Sequence, residues 1–290
     1  MRVAIVAMMK NEERYILDWV KWHAAIGITD FILLDNNDEG NTGHLDILKP
    51  VMSKYNIQLV DLRGRENLER IGFQIGAYNW AYDYIRNDAR LRDIDYVAFI
   101  DIDEYLYFYG KRIQDFLLLK NVAGADLIQL NWQCYGDNDL VYYDARPVWR
   151  RFTRPAPVDV IFDGLDLPAG ITVNNHVKSI LKVSERKVTV TVHTTMFGGE
   201  TNVKCINSLG YNTDWSSPFQ NICYTNGLVR HYVTKTAEEF IQRRIKNYLR
   251  ADLKNDVNFE RAQESFFRMN ATTMQKIKLF EQARQEIQNK

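Results

Sequence analysis

Over its first half the chain alternates unbroken apolar runs with stretches of helical periodicity. Val3–Met8, Phe31–Leu34 closing on Asp35, Ile57–Leu62 and Tyr96–Ile100 closing on Asp101 are the runs expected of strands buried on both faces. Between them, Tyr15-Ile16-x-x-Trp19-Val20-x-Trp22-His23, the segment Leu45–Tyr55 and the segment Asn67–Arg86 are spaced for helices. Asn11 with Glu12 and Glu13 marks a helix start, the carboxylates suiting the positive end of the dipole. Strands separated by helices argue for parallel βαβ units, hence an α/β fold with a mostly parallel sheet flanked by helices.

A further strand is predicted at Asp126–Gln133, leading into Cys134-Tyr135-Gly136-Asp137-Asn138-Asp139. After about residue 145 the periodicity weakens, punctuated by Pro147, Pro155, Pro157 and Pro168. Short β runs return at Val177–Val183, Lys187–His193 and Leu228–Tyr232, the last carrying His231. From Thr236 the pattern is helical to the end, with Phe240, Ile241, Ile245, Tyr248 and Leu249 on one side.

Composition narrows the reading. At 290 residues the chain is long enough for a proper core. Lys+Arg and Asp+Glu are both 37, so no net basic field argues for nucleic acid. The three cysteines, Cys134, Cys205 and Cys223, form no CxxC pair and fit a reducing compartment without zinc or a disulfide framework. No apolar stretch approaches the roughly 18 residues that span a bilayer, and a cytoplasmic protein is the expectation. The 16 Tyr and 6 Trp suit ring stacking on a sugar or base, and equally a packed core.

The chemistry concentrates where the fourth apolar run ends in Asp101-Ile102-Asp103-Glu104. In an open α/β sheet the carboxyl ends of the strands border the ligand crevice, so Asp101 and Asp103 are candidate hard-oxygen ligands for Mg²⁺ or Mn²⁺ on a diphosphate. Spacing alone does not select them, since Asp93-x-Asp95 and Asp137-x-Asp139 share it, and a solvated strand-end turn is the plainer alternative. Asp35 ends a second strand at the same edge, which gives one acid for base or ribose and another for metal and diphosphate. Neither G-x-G-x-x-G nor a Walker A sequence is present.

Several short segments occur in a fixed order: Lys10-Asn11-Glu12-x-x-Tyr15-Ile16-x-x-Trp19-x-x-x-His23, Asp35-Asn36, Gln74-x-x-Ala77-Tyr78-Asn79, Ile100-Asp101-x-Asp103-Glu104-Tyr105, Trp132-x-x-Tyr135-Gly136, Lys178-Ser179-Ile180 and His231-Tyr232-x-Thr234-Lys235. This set resembles glycosyltransferase family 92 and the related bacterial family 2-like enzymes. The resemblance implies a GT-A fold and transfer of a sugar from a nucleotide donor, usually UDP-linked, with a divalent metal. Two departures stand out: Tyr135-Gly136-Asp137 replaces the usual Phe-Gly-Ser, and Thr234-Lys235-Thr236 alters the usual His-Tyr-x-x-Lys-Ser ending.

On that footing residues 1–235 form the catalytic domain, 1–133 its nucleotide-sugar half and 134–235 its acceptor side, with 236–290 a helical extension. Asp101, Asp103 and His231 are the expected metal ligands, His193 being the rival histidine and a hydrogen-bonded core position the plainer role for either. Mn²⁺ is favoured over Mg²⁺ if imidazole takes part. His23 and His44 read as helix-face and loop residues, and His176 as structural or acceptor-side. Asn11, Glu12 and Asp35 are candidates for the nucleotide, against capping and turn roles. Gln74 is a candidate donor contact or an exposed helix position. Lys178 and Lys235 are candidates to neutralise the diphosphate, or solvated surface lysines. Asp137 is the candidate general base of an inverting transfer, with Glu104 and Asp139 as alternatives.

The expected activity is transfer of a hexose from a UDP-sugar to a glycan or glycolipid, in the setting of surface polysaccharide or lipopolysaccharide assembly. A nucleotidyltransferase and a catalytically inactive nucleotide- or glycan-binding module are the alternatives. Arg243, Arg244, Lys246 and Arg250 beside the C-terminal apolar face are read either as a solvated basic side or as peripheral contact with an anionic inner membrane leaflet.

Overall fold

The computed structural model describes residues 1–65, 70–157, 171–218, 221–246 and 256–288. Asn67, Pro168, Tyr248, Leu249, Arg250 and Asp252 lie outside the described residues, as do the side chains of Arg244, Ile245 and Lys246. The chain divides into two compact units, one made of 1–132 with 175–230 and the other of 133–174 with 231–290.

In chain order the elements are β1 (Arg2–Met9), α1 (Ile16–Ala25), β2 (Asp30–Asp35), α2 (Gly43–Leu48), β3 (Ile57–Asp61), α3 (Arg70–Asn87), β4 (Ile94–Phe99), β5 (Glu104–Tyr107), α4 (Ile113–Leu117) and β6 (Leu127–Cys134). They continue with α5 (Val148–Arg151), β7 (Val177–Lys182), β8 (Val188–Val190), β9 (Thr195–Phe197), β10 (Cys205–Asn207), β11 (Leu228–His231), α6 (Ala237–Phe240), α7 (Asp256–Met269) and α8 (Met274–Gln288). Among the described residues the main sheet has nine strands, in the order β3-β2-β1-β4-β7-β6-β11-β5 with β10 paired to β6. β3, β2, β1 and β4 are mutually parallel, and β7 runs antiparallel to both β4 and β6. This is the mixed, mostly parallel α/β sheet that the alternation predicts.

The apolar runs are continuous because both faces of the parallel strands are covered. On one face Ala4, Val6, Ile32, Leu34, Val97 and Phe99 meet Tyr78, Ala81, Tyr82 and Ile85, an i, i+3, i+4, i+7 stripe of α3. Burying each of these larger apolar side chains is worth about 1.5–3 kcal/mol. From the other face, Trp19 of α1 meets Phe31 edge-on at 6.0 Å between ring centroids. Trp19 also donates its indole N–H to the Glu104 carbonyl at 2.8 Å.

The local differences from the sequence-based boundaries have simple causes. The helix expected over 45–55 stops as α2 at Leu48, because Lys49–Val51 tighten into a 3₁₀ turn around Pro50, which has no N–H to donate. The helix start expected at Asn11 falls at Ile16 instead, since Asn11 takes a left-handed conformation (φ +57°) and 12–15 form a turn. The run 187–193 is only partly strand. β8 pairs with β9 in a separate two-stranded ribbon, and His193 sits in the intervening turn, closed by the Thr191 N–H to Thr194 carbonyl bond of 2.8 Å. The strands β5, β9 and β10 were not evident in the pattern, being three or four residues long.

In the second unit, Phe240, Ile241, Phe259, Phe266, Phe280, Ala283 and Ile287 form one apolar cluster. Thr236 caps α6 by accepting from the Glu239 N–H, while the Glu239 carboxylate accepts from the Thr236 N–H. The same carboxylate receives two bonds from Arg151, at 2.7 and 2.9 Å, in a buried bidentate pair.

Candidate active site at the carboxyl edge of the parallel strands

Because β3, β2, β1 and β4 are parallel, their carboxyl ends share one edge of the sheet. Met9, Asp35 and Asp61 stand in register across that edge. β4 stops at Phe99, so Asp101 and Asp103 lie on the turn beyond the strand and not on the strand itself. The turn is closed twice. The Glu104 N–H donates to the Asp101 carbonyl at 3.1 Å, and the Asp101 N–H donates to Glu104 Oε2 at 2.9 Å.

Asp101 is the accessible carboxylate of this group, its side chain 31 % exposed. Lys178 Nζ, from the start of β7, lies 2.8 Å from its Oδ2. Gln74 Nε2 donates to its Oδ1 at 3.1 Å, as does the Tyr78 hydroxyl at 3.3 Å. Gln74 and Tyr78 are one helical turn apart on α3 and bonded to each other at 3.0 Å. Asp103 is buried, and Glu104 is fully so.

The Lys178 ammonium is itself buried, donates to the Val192 carbonyl at 2.8 Å and lies 3.3 Å from Glu104 Oε2. Burial opposes its charge, but Asp101 and Glu104 outweigh that and hold it above the ordinary lysine range. Burial pushes the Glu104 carboxyl well above the usual carboxylate range; Lys178 pulls it back, and Asp101 and Asp103 push it further up. Glu104 Oε1 has no hydrogen-bond partner among the described residues. The buried Tyr78 phenol is likewise raised by burial and then by Asp101, so it stays a donor.

At the ends of β1 and β2 the polar side chains tie two loops together. The Asn11 N–H donates to Asn37 Oδ1 at 2.7 Å, and Asn41 Nδ2 donates to Asn11 Oδ1 at 3.0 Å and Glu13 Oε1 at 2.9 Å. Glu12 is buried, its carbonyl accepting from the Tyr15 and Ile16 N–H groups.

Three of the expected site residues have their charged groups against protein partners. Asp35, expected at the nucleotide, is buried with its carboxylate committed to its own loop: His44 Nε2 at 2.6 Å, the Asn37 side chain at 2.7 Å and the Asn37 N–H at 3.1 Å. His44 is accordingly a buried residue of α2 and not an open-loop one. Lys178, expected to be free for a diphosphate or solvent, is sealed with its donors spent on protein oxygens. Asp137, expected as general base, lies buried in the second unit with Lys276 Nζ 2.5 Å from its Oδ2 and the Asp139 N–H on its Oδ1 at 2.8 Å. The alternative Asp139 is paired with Arg154 at 2.5 Å.

Gln74 faces the acid turn. In the second unit His231 is buried at the end of β11, its Nδ1 3.9 Å from Cys134 Sγ, and Lys235 is buried with φ +53°. In the first unit His176 stacks on Trp132 at 4.8 Å, and His193 lies 4.9 Å from His176 and 5.2 Å from Trp132. Among the described residues no three His, Cys, Asp or Glu side chains gather as a metal-binding group. No described helix is long and apolar enough to cross a membrane.

No protein-family model matches the chain. It is similar to a glycosyltransferase family 92 protein of Ricinus communis, 24 % identical over 161 residues, which are 52 % of this chain and 26 % of that protein. It is also similar to a glycosyltransferase family 92 protein of Oryza sativa subsp. japonica, 31 % identical over 117 residues, 40 % of this chain and 18 % of that protein. The chain thus spans about a quarter or less of the length of these curated relatives. Among solved structures it overlaps S. aureus TarS with a TM-score of 0.34 at 16 % identity, covering 63 % of this chain and 28 % of that one. Residues 1–349 of TarS in complex with UDP give the same score and identity, covering 47 % of that chain.

Proposed function

We propose that the chain is a nucleotide-sugar-dependent glycosyltransferase of GT-A type, moving a hexose from a UDP-sugar to a hydroxyl of a glycan or glycolipid. The observation that carries this is the accessible Asp101 carboxylate, set with Asp103 and Glu104 on a closed turn at the carboxyl edge of four parallel strands. The similarity to the two family 92 proteins supports the same reading, and UDP is the nucleotide the resemblance implies.

The acid turn fits a hard dication such as Mn²⁺ or Mg²⁺. Asp101 and Asp103 are hard-oxygen donors two residues apart on that turn, and Glu104 Oε1 beside them has no hydrogen-bond partner among the described residues. Asp101 and Asp103 would hold the ion, as is usual where one or two carboxylates share a dication with substrate phosphates. When bound, it supplies stabilisation of the negative charge that develops on the departing diphosphate. The protein's own part is orientation: Gln74, Tyr78 and Lys178 fix Asp101, and the tied loops after β1 and β2 shape the edge beside it. The acceptor-side base is not assigned to Asp137, whose carboxylate is committed to Lys276.

Calorimetric titration of UDP tests the reading, with Mn²⁺ and with chelator, on the wild type and on Asp103→Ala. The expected result is binding that needs the metal and disappears in the variant. Absence of UDP binding to the wild type under both conditions would sink it.

A further inference from the structure

Resting on the reading of the acid turn as the donor site, we infer that Lys178 is its positioning residue: it never touches the donor, and its buried ammonium fixes the Asp101 carboxylate that does. An ammonium has three donors, and here the Val192 carbonyl, Asp101 Oδ2 and Glu104 Oε2 lie at 2.8, 2.8 and 3.3 Å. With its side chain 1 % exposed, Lys178 has neither a spare donor nor a path to a diphosphate. Asp101, by contrast, is open on one side and held on the rest. Lys178 takes one oxygen, Gln74 and Tyr78 take the other, and Glu104 takes the backbone N–H.

Of these donors to the carboxylate, Lys178 is the charged one, so its contact is an ion pair as well as a hydrogen bond. Rotation of the Asp101 carboxylate would break the bond to Lys178 on one oxygen and those to Gln74 and Tyr78 on the other. The lysine is anchored by the Val192 carbonyl in the turn after β8 and by Glu104, which closes the Asp101 turn itself, so the Asp101 side chain is tied through Lys178 to a segment distant in sequence. The expected diphosphate-neutralising lysine becomes the support of a ligand.

The test separates positioning from simple support of the fold. Lys178→Met alone strands the buried Glu104 beside an unpaired site and is expected to lower the thermal midpoint. In Lys178→Met/Glu104→Gln the buried charge is removed with its partner, while a glutamine oxygen still accepts from the Asp101 N–H. That double variant is expected to recover the thermal midpoint but to bind UDP with Mn²⁺ about 10–100-fold more weakly than Glu104→Gln alone, the range seen when outer-shell partners of metal ligands are removed. An affinity in the double variant equal to that of Glu104→Gln alone would overturn the inference, as would its unfolding like the single variant, which would assign Lys178 to the fold alone. Failure of the wild type itself to bind UDP is a separate result, and it would remove the donor-site reading and this inference together.

Discussion

Lys276 places its ammonium 2.5 Å from Asp137 Oδ2, and both side chains are almost entirely buried. Asn270 holds the backbone of the same loop, accepting from the Asp137 N–H at 2.6 Å, and Lys276 also donates to the Ala271 carbonyl at 2.9 Å. α8 is therefore joined by an ion pair to the loop after β6. Burial raises the Asp137 carboxyl while the Lys276 bond lowers it.

Removing one member of this pair leaves the other charge buried alone. Lys276→Met is expected to cost about 3–5 kcal/mol, and Asp137→Asn combined with Lys276→Met to recover most of it. Denaturant unfolding of the two variants checks this. A small loss for the single variant would mean that Asp137 is available for other work.

His23 gives the fold a defined response to acid. It is fully buried in α1, its Nδ1 bonded to the Trp19 carbonyl at 2.8 Å and its Nε2 accepting from the Leu106 N–H at 3.2 Å. Burial lowers its pKa from 6.5 to about 3, the Trp19 bond opposing. A histidine depressed in the folded state takes up its proton more readily when unfolded, so its stabilising share is complete above 6.5 and is lost as pH falls towards 3. Between pH 7.5 and 5.0 the loss from this residue is about 2 kcal/mol, from 1.36 kcal/mol per pKa unit. His23→Gln should be less stable at pH 7.5 and should show that much less dependence on pH. An unchanged slope would place the titrating group elsewhere.

Gln74 touches Asp101 without carrying charge. Gln74→Leu is expected to weaken UDP binding by about 1 kcal/mol, a few-fold, while changing the thermal midpoint little, because the helix position is only half buried. Parallel titration and melting of the variant measure both. A large drop in melting temperature would make Gln74 a support of α3 instead.

The parallel half of the fold was legible because its strands are covered on both faces, and such strands read as unbroken apolar runs. The acid turn was legible for the same reason, since Asp101 interrupts one of those runs. The direction of a charged side chain was not. Lys178 alternates along β7 with Val177 and Ser179, and nothing in that alternation tells a buried lysine from a solvated one. Its partner Glu104 is 74 residues away, a pairing that only the meeting of β7 with β4 creates. The burial of Asp137 is not legible for a related reason, as its partner Lys276 lies on a helix whose periodicity gives no sign that the lysine is on the inner face. Gln74 and Tyr78 did carry a usable signal, their i, i+4 spacing placing both on the side of α3 that meets the sheet.

The loops after β1 and β2 are stitched to each other by Asn11, Asn37 and Asn41 and to α2 through Asp35 and His44. Side chains bonded to one another in this way have little rotational freedom left to lose. A molecule docking against them forfeits little chain freedom.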